Sequence, residues 1–185
     1  MNYIWDNIFR RGADQSVQSV LRENILFRDL NESDLRFLER CVHVRHYHVG
    51  ESVFRQGEIG VGMYLVVKGR VEIYIIDPEA VTDDSREIYI TQLLANDFFG
   101  ELSLVEDNGR RTATAVAREE TTLIGFFKPD LMEILSRRPA MGTHITLRIA
   151  EVLGRRLKET TEKVSELRRV LKDLRAPPAR EEGTP

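Results

Sequence analysis

Between residues 42 and 127 the apolar runs are short, and glycine, asparagine or aspartate cuts each from the next. That texture leaves little room for a helix of ordinary length. It calls for an all-β unit of short strands joined by tight turns. The runs predict strands at 42–47, 52–54, 63–67, 70–76, 87–93, 112–118 and 121–127. Lys68-Gly69 has the composition of a two-residue hairpin turn. Residues 77–86 form a polar loop between two strands. Gly50, Gly57, Gly60, Gly62, Gly69 and Gly100 recur at turn positions, where a positive φ costs glycine little.

The flanks read as helix. Ile4, Trp5, Ile8 and Phe9 share one helical face, Gly12 interrupts, and a second helix is expected over 17–25. Asn31 is an expected N-cap with Asp34 in the first turn, and Leu35, Phe37 and Leu38 supply apolar contact. Pro129 suits the first turn of a short helix over 129–135, which Pro139 separates from a long helix over 140–174. The tail 176–185 combines proline and charge with no apolar anchor and is expected to be disordered.

Along the long helix Leu153, Leu157, Thr160, Val164, Leu167, Leu171 and Leu174 alternate spacings of four and three, a heptad seam. A helix of this length cannot bury the whole stripe against a small β unit, so a parallel homodimer through 140–174 is expected. The plainer alternative packs the stripe on its own domain. Thr160 lies on the seam among leucine and valine, with Thr161 beside it; such hydroxyls fix register or touch a ligand. Residues 148–175 carry nine Lys/Arg and five Asp/Glu, and a solvated helix face is the simplest account of them.

Global charge excludes little else. The net charge is −3, so nothing overall argues for nucleic acid or an anionic membrane. No apolar run approaches the roughly 18 residues of a membrane span, and the first ten residues lack the apolar stretch of a secretory signal. Cys41 stands alone, which excludes an internal disulfide and a cysteine-rich zinc motif. A cytoplasmic protein is the expectation.

Residues 98–117, FFGELSLVEDNGRRTATAVA, carry the chemistry. Gly100 opens the main chain to a close approach, and a short helix over 101–105 offers the N–H groups of Leu102 and Ser103 to an anion. Arg111 supplies a guanidinium fork for a phosphate. On the following strand Ala113, Ala115 and Ala117 form a small-residue face with volume for a flat group. Glu101 would repel a phosphate, yet it can accept hydrogen bonds from sugar hydroxyls. Together these residues call for a ligand with a phosphate and a free sugar hydroxyl.

FGELSL, with Arg111 ten residues after its glutamate and then TATAVA, resembles the phosphate-binding cassette of cyclic-nucleotide-binding domains. Residues 50–75, GESVFRQGEIGVGMYLVVKGRVEIYI, are similar to the first strands of that family's β-roll. The resemblance covers roughly residues 25–161. Together with the flanks read above, it gives the expected organisation of an α+β fold: an N-terminal helical segment at 1–30, an antiparallel jelly-roll β-roll at 31–128, C-terminal helices at 129–175 and the tail 176–185. By the same resemblance Glu101 takes the ribose 2′-hydroxyl, and Gly100, Leu102 and Ser103 approach the sugar-phosphate. Arg111 pairs with the cyclic phosphate, Thr112 stands beside phosphate and base, and Ile73 and Ile90 match apolar wall positions.

Residues 155–167, RRLKETTEKVSEL, are similar to the dimerisation helix of bacterial cyclic-AMP receptor transcription factors. That similarity places Thr160 on the purine of its own subunit and Thr161 on the partner's ligand. Two residues depart from the family pattern: Asn96 where a turn glycine is common, and Gly109 where many members have proline before the arginine. The second leaves Arg110 as an alternative to Arg111, with the register RTATAVA favouring Arg111. Only about ten residues follow the helix, too few for a DNA-binding module, so a stand-alone sensor is expected.

The resulting expectation is a non-enzymatic receptor for cyclic AMP, or alternatively cyclic GMP, with no cofactor and an unnamed downstream protein partner. The rival is a dimeric interaction module whose β-roll no longer binds nucleotide. An enzyme of the cupin-like jelly rolls would need a metal cluster. His43, His46 and His48 are expected to face solvent rather than form one. Cys41, Met63, Phe98 and Phe99 read as core.

Overall fold

A computed structural model describes residues 16–77, 79–80 and 87–175. The expected helix around Ile4 and Phe9, most of the loop 77–86 and the tail 176–185 lie outside the described residues. The chain divides into two compact units, Met1–Arg148 and Ile149–Pro185.

In the first unit, helices α1 (Val17–Glu23) and α2 (Glu32–Cys41) precede strands β1 (His43–Tyr47), β2 (Ser52–Phe54), β3 (Gly62–Lys68), β4 (Val71–Ile76), β5 (Glu87–Leu93) and β6 (Phe98–Phe99). The short helix α3 (Leu102–Val105), strands β7 (Thr114–Ala117) and β8 (Thr121–Phe127), and helix α4 (Lys128–Arg137) follow. Helix α5 (Pro139–Arg175) begins in this unit and supplies the described part of the second.

The strands form two antiparallel four-stranded sheets, in the orders β1-β8-β3-β6 and β2-β7-β4-β5. The alternation of β3 and β8 explains how they stack. Val66 of β3 and Leu123 of β8 face Val71 of β4 and Ala115 of β7, with Phe99 completing a buried cluster that Phe54, Tyr64 and Ile73 border. The residues between them, Met63 and Leu65 paired with Phe126 and Ile124, are buried on the opposite face. There Phe27 meets Phe126 edge-on at 5.9 Å. A sheet covered on both faces reads as a continuous apolar run, as LIGFF does.

The helix ends follow local chemistry. The Asn31 side chain accepts from the Asp34 N–H at 3.0 Å, as the N-cap reading expected. At α4 the Phe127 N–H donates to the Asp130 carboxylate at 2.9 Å. That helix ends at Arg137, with Arg138 as its C-cap ahead of Pro139, because the residue before a proline is disfavoured in the α region.

Several expectations need correction. Lys68-Gly69 is not a hairpin turn: β3 and β4 belong to different sheets, so the turn is a corner between them. Strand β6 is two residues long and was not expected as a strand. The second helix ends at Glu23 rather than residue 25. The strand expected at 112–118 begins at Thr114, because Arg111 is bonded to the loop before β3: its N–H donates to the Glu58 carbonyl, and its carbonyl accepts from the Gly57 N–H, both at 2.8 Å. Positive φ occurs at Gly50, Gly57, Gly69 and Gly100, but not at Gly60 or Gly62. Asn96 adopts φ 72°, the conformation for which a glycine would otherwise serve.

Candidate functional site

The site is built where the loop before β3 meets the turn after β6. The Gly60 N–H donates to the Gly109 carbonyl at 2.9 Å, Ile59 and Arg110 form a bridge, and the Arg110 guanidinium donates to the Gly57 carbonyl at 2.7 Å. These bonds sew two distant segments together and leave the two arginines in different surroundings. Arg110 is exposed, whereas Arg111 is only 7% exposed.

The Arg111 guanidinium lies at the centre. Its Nη1 donates to the Gly100 carbonyl at 3.2 Å and to the Ser103 hydroxyl at 2.9 Å, and its Nη2 donates to the Gly62 carbonyl at 2.7 Å. Its Cζ stands 4.0 Å from the Phe54 ring centroid, a cation–π contact. Its Nε is buried with no hydrogen-bond partner. Burial pushes the guanidinium pKa below its ordinary value, while the charge of Tyr64, Glu58 and Glu101 pushes it back up.

Backbone shape makes this cradle possible. Gly100 has φ 76°, and a Cβ there would stand 2.4 Å from Arg111 Nη1. A Cβ on Gly60 would stand 2.0 Å from the Ser103 hydroxyl and 3.3 Å from Arg111 Nε. Glu101 is the N-cap of α3 and is 4% exposed, and Ser103 is 5% exposed. A buried carboxylate, a buried hydroxyl and a buried guanidinium with an unpartnered N–H therefore converge within one turn and its neighbouring loop. Such a set matches a small ligand with both hydroxyl donors and anionic oxygens.

The expected residues divide accordingly. Gly100, Ser103 and Arg111 are in direct contact, and Glu101 is buried beside them. Leu102, on α3, and Thr112 are exposed. Ile73 borders the core between the sheets and is paired with Ala115. Ile90 is 48% exposed on β5, where the register shifts between Ile73 and Tyr74 of the neighbouring strand. Thr160 and Thr161 are exposed in the second unit, and their hydroxyls donate to the carbonyls of Arg156 and Leu157 at 2.8 and 2.9 Å.

Two details correct the sequence reading. The Ser103 N–H is not free for an anion, since it donates to the Gly100 carbonyl at 3.2 Å. The alanine face is largely filled: Ala115 and Ala117 are fully buried, Ala115 within the packed cluster, and Ala113 alone stays half-buried. Sequence reasoning missed Phe54, Glu58, Gly60 and Gly62 as parts of the site. The signal was present in the spacing GEIGVG, since glycines without a turn to make are left with close approach as their purpose.

The remaining polar clusters lie elsewhere. His46 is exposed with its Nδ1 3.1 Å from the Thr122 hydroxyl, and His48 is exposed with its Nδ1 3.2 Å from the Glu120 carboxylate. Cys41 is half-buried, and burial followed by the charges of Glu133 and Asp130 pushes its thiol pKa up.

Comparison with known proteins gives a consistent result. The family model for the cyclic nucleotide-binding domain matches residues 44–138. The cyclic AMP receptor protein of Thermus thermophilus is 34% identical over 115 residues, 62% of this chain and 49% of that protein. This chain thus spans about half the length of that relative. Among solved structures, the catabolite activator protein of Thermus thermophilus matches with a TM-score of 0.67 and 30% identity, over 78% of this chain and 63% of that one. The N-terminal domain of a transcriptional regulator from Streptomyces coelicolor matches with a TM-score of 0.63 and 31% identity, over 77% of this chain and 95% of that one.

Proposed function

Since the chain belongs to the cyclic nucleotide-binding domain family, we propose that it is a non-enzymatic sensor that binds cyclic AMP in preference to cyclic GMP. The observation that carries this reading is the Arg111 guanidinium: buried, cradled by the Gly62 and Gly100 carbonyls and the Ser103 hydroxyl, and holding an unpartnered Nε–H. In this account Arg111 pairs with the cyclic phosphate, exchanging carbonyl acceptors for phosphate oxygens. Glu101 accepts from the ribose 2′-hydroxyl, and Gly100, Leu102 and Ser103 line the sugar-phosphate. Thr112, Ile73 and Ile90 flank the base, and Thr160 and Thr161 supply the helix's hydroxyls.

Binding acts by population shift. Arg111 trades internal acceptors for ligand, the turn at Gly100 and helix α3 move with it, and α4 follows. Helix α5 then changes how it pairs with a second copy along the Leu153–Leu174 seam. The shift cannot exceed the ligand's difference in affinity for the two states.

One observation favours a second reading, a β-roll that no longer binds nucleotide: three donor contacts of Arg111 are already made within the protein. Calorimetric titration with cyclic AMP, cyclic GMP and 5′-AMP separates the two. The sensor reading expects saturable heat with cyclic AMP, weaker binding of cyclic GMP and weaker still of 5′-AMP. No heat with either cyclic nucleotide selects the second reading.

A further inference from the structure

The loop that leads into Arg111 holds a reactive pairing that the ligand site does not use. Of the six asparagines, Asn108 alone precedes a glycine. It is exposed and has φ 55°. Among the described residues, neither its side chain nor the Gly109 N–H is in a hydrogen bond. A Cβ at position 109 would run into the Glu106 carboxylate, so only glycine fits there. The same lack of a Cβ leaves the Gly109 nitrogen open to the neighbouring side-chain amide. Asn96 is the internal contrast. It too is exposed, at φ 72°, but Asp97 follows it, and the Asp97 N–H donates to the Leu94 carbonyl at 2.9 Å.

Such an Asn-Gly pair reacts with itself. The Gly109 nitrogen attacks Asn108 Cγ, and the new N–C bond closes a succinimide ring. The side-chain nitrogen leaves as ammonia, carrying the proton that Gly109 gives up. Water then opens the ring. Breaking the bond from nitrogen to Cγ gives aspartate. Breaking the bond from nitrogen to the main-chain carbonyl carbon gives isoaspartate, whose backbone runs through the side chain and is longer by a methylene. Both products add a carboxylate that is charged at neutral pH.

The position gives the longer product its effect. On the N-terminal side, Lys128 Nζ donates to the Glu106 carbonyl at 2.9 Å and pairs with Asp107. On the C-terminal side, the Gly109 carbonyl accepts from the Gly60 N–H at 2.9 Å, and the Arg111 N–H donates to the Glu58 carbonyl at 2.8 Å. Asn108 is the residue between these two anchored stretches. An inserted methylene has no slack chain to absorb it, so it displaces residues 109–111. The guanidinium held by Gly62, Gly100 and Ser103 moves with them.

We propose that Asn108-Gly109 is a site of spontaneous deamidation whose isoaspartate product weakens the ligand site by shifting Arg111. The chain then loses its grip on an anionic ligand as it ages. The modification stands on the loop alone, whereas its effect on cyclic AMP rests on the reading above.

The test ages the full chain in mildly alkaline buffer. Peptide mapping by mass spectrometry should find amide-to-acid conversion at Asn108 well ahead of Asn96, and an isoaspartyl methyltransferase should label the product. Asn108→Gly tolerates the positive φ, lacks the amide and should age unchanged. The isoaspartate form, separated by ion exchange, should melt at a lower temperature without ligand. It should bind cyclic AMP at least about ten-fold more weakly, the scale of a lost hydrogen bond to a charged group. Freshly prepared Asn108→Asp carries the charge without the added length and should melt and bind as the parent does. Conversion at Asn108 no faster than at Asn96 overturns the proposal. So does an isoaspartate form that melts as the parent does, or fresh Asn108→Asp as impaired as the aged chain. If the unaged chain binds no cyclic AMP, the nucleotide reading falls, and the mapping and the melts still decide the modification.

Discussion

Replacing Gly100 by alanine loads two separate costs onto one position. The first is conformational. At φ 76° an L-residue is strained, by about 1–2 kcal/mol. The second is steric. The new Cβ would stand 2.4 Å from Arg111 Nη1 and 3.2 Å from the Gly62 carbonyl. An ordinary contact is about an ångström longer than the first of these, so the guanidinium must withdraw. Withdrawal breaks or weakens the Nη1 bonds to the Gly100 carbonyl at 3.2 Å and the Ser103 hydroxyl at 2.9 Å. A hydrogen bond to a charged donor contributes about 1.5–3 kcal/mol. Together the two costs predict a loss of about 2.5–5 kcal/mol of stability, or roughly 5–20 °C in Tm for a chain of this size.

Affinity for cyclic AMP should fall as well, by about 10- to 150-fold, because a displaced guanidinium no longer meets the phosphate. Gly57→Ala is the matched control. Gly57 has φ 85°, but a Cβ there would meet nothing within 4 Å, so it bears the conformational cost alone and should keep nucleotide affinity. Thermal melts and calorimetric titration of both variants are the assays. Equal stability losses, with Gly100→Ala binding as the parent does, would refute the reasoning.

Two further outcomes follow from the structure. Asn24 is 1% exposed, donates to the Asn96 carbonyl at 3.1 Å and accepts from the Leu26 N–H at 3.0 Å, tying the N-terminal segment to the turn that leads into the site. Asn24→Ala should therefore cost about 1–3 kcal/mol in denaturant melts, since buried partners are left unpaired. On β4 the Tyr74 hydroxyl and then the Arg118 guanidinium hold the Glu72 carboxyl below its ordinary value of 4.5. A depressed folded-state pKa contributes stability that is present above that ordinary value and is lost as pH falls through the folded one. Glu72→Gln should flatten the acid limb of stability against pH while leaving the site's nucleotide preference unchanged.

How legible the molecule is in its sequence depends on the range of the forces involved. The bounds of β2, β5 and β8 follow from runs ended by turn residues, a local signal. The N-cap at Asn31 is equally local, since its partner is three residues away. Phe98–Phe99 is too short to show a period, and its strand character comes from pairing with Tyr64 and Leu65 of a distant segment. At Lys68-Gly69 the turn is visible, but which sheet the next strand joins depends on β5 and β7. Within the site, the spacing of Glu101 and Arg111 marks the pair, while Phe54, Glu58, Gly60 and Gly62 enter only because the loop before β3 is bonded to residues 109–111. Gly60 looks like a turn residue until Ser103 is seen beside it.

The central claim is that one buried guanidinium recognises a cyclic phosphate. It is tested most directly by titrating cyclic AMP into the parent chain and into Arg111→Ala under the same conditions. The account predicts that the parent binds and that the variant is weaker by about 2–5 kcal/mol, the scale for truncating one half of a buried charge pair. Equal affinity of the two proteins would contradict it.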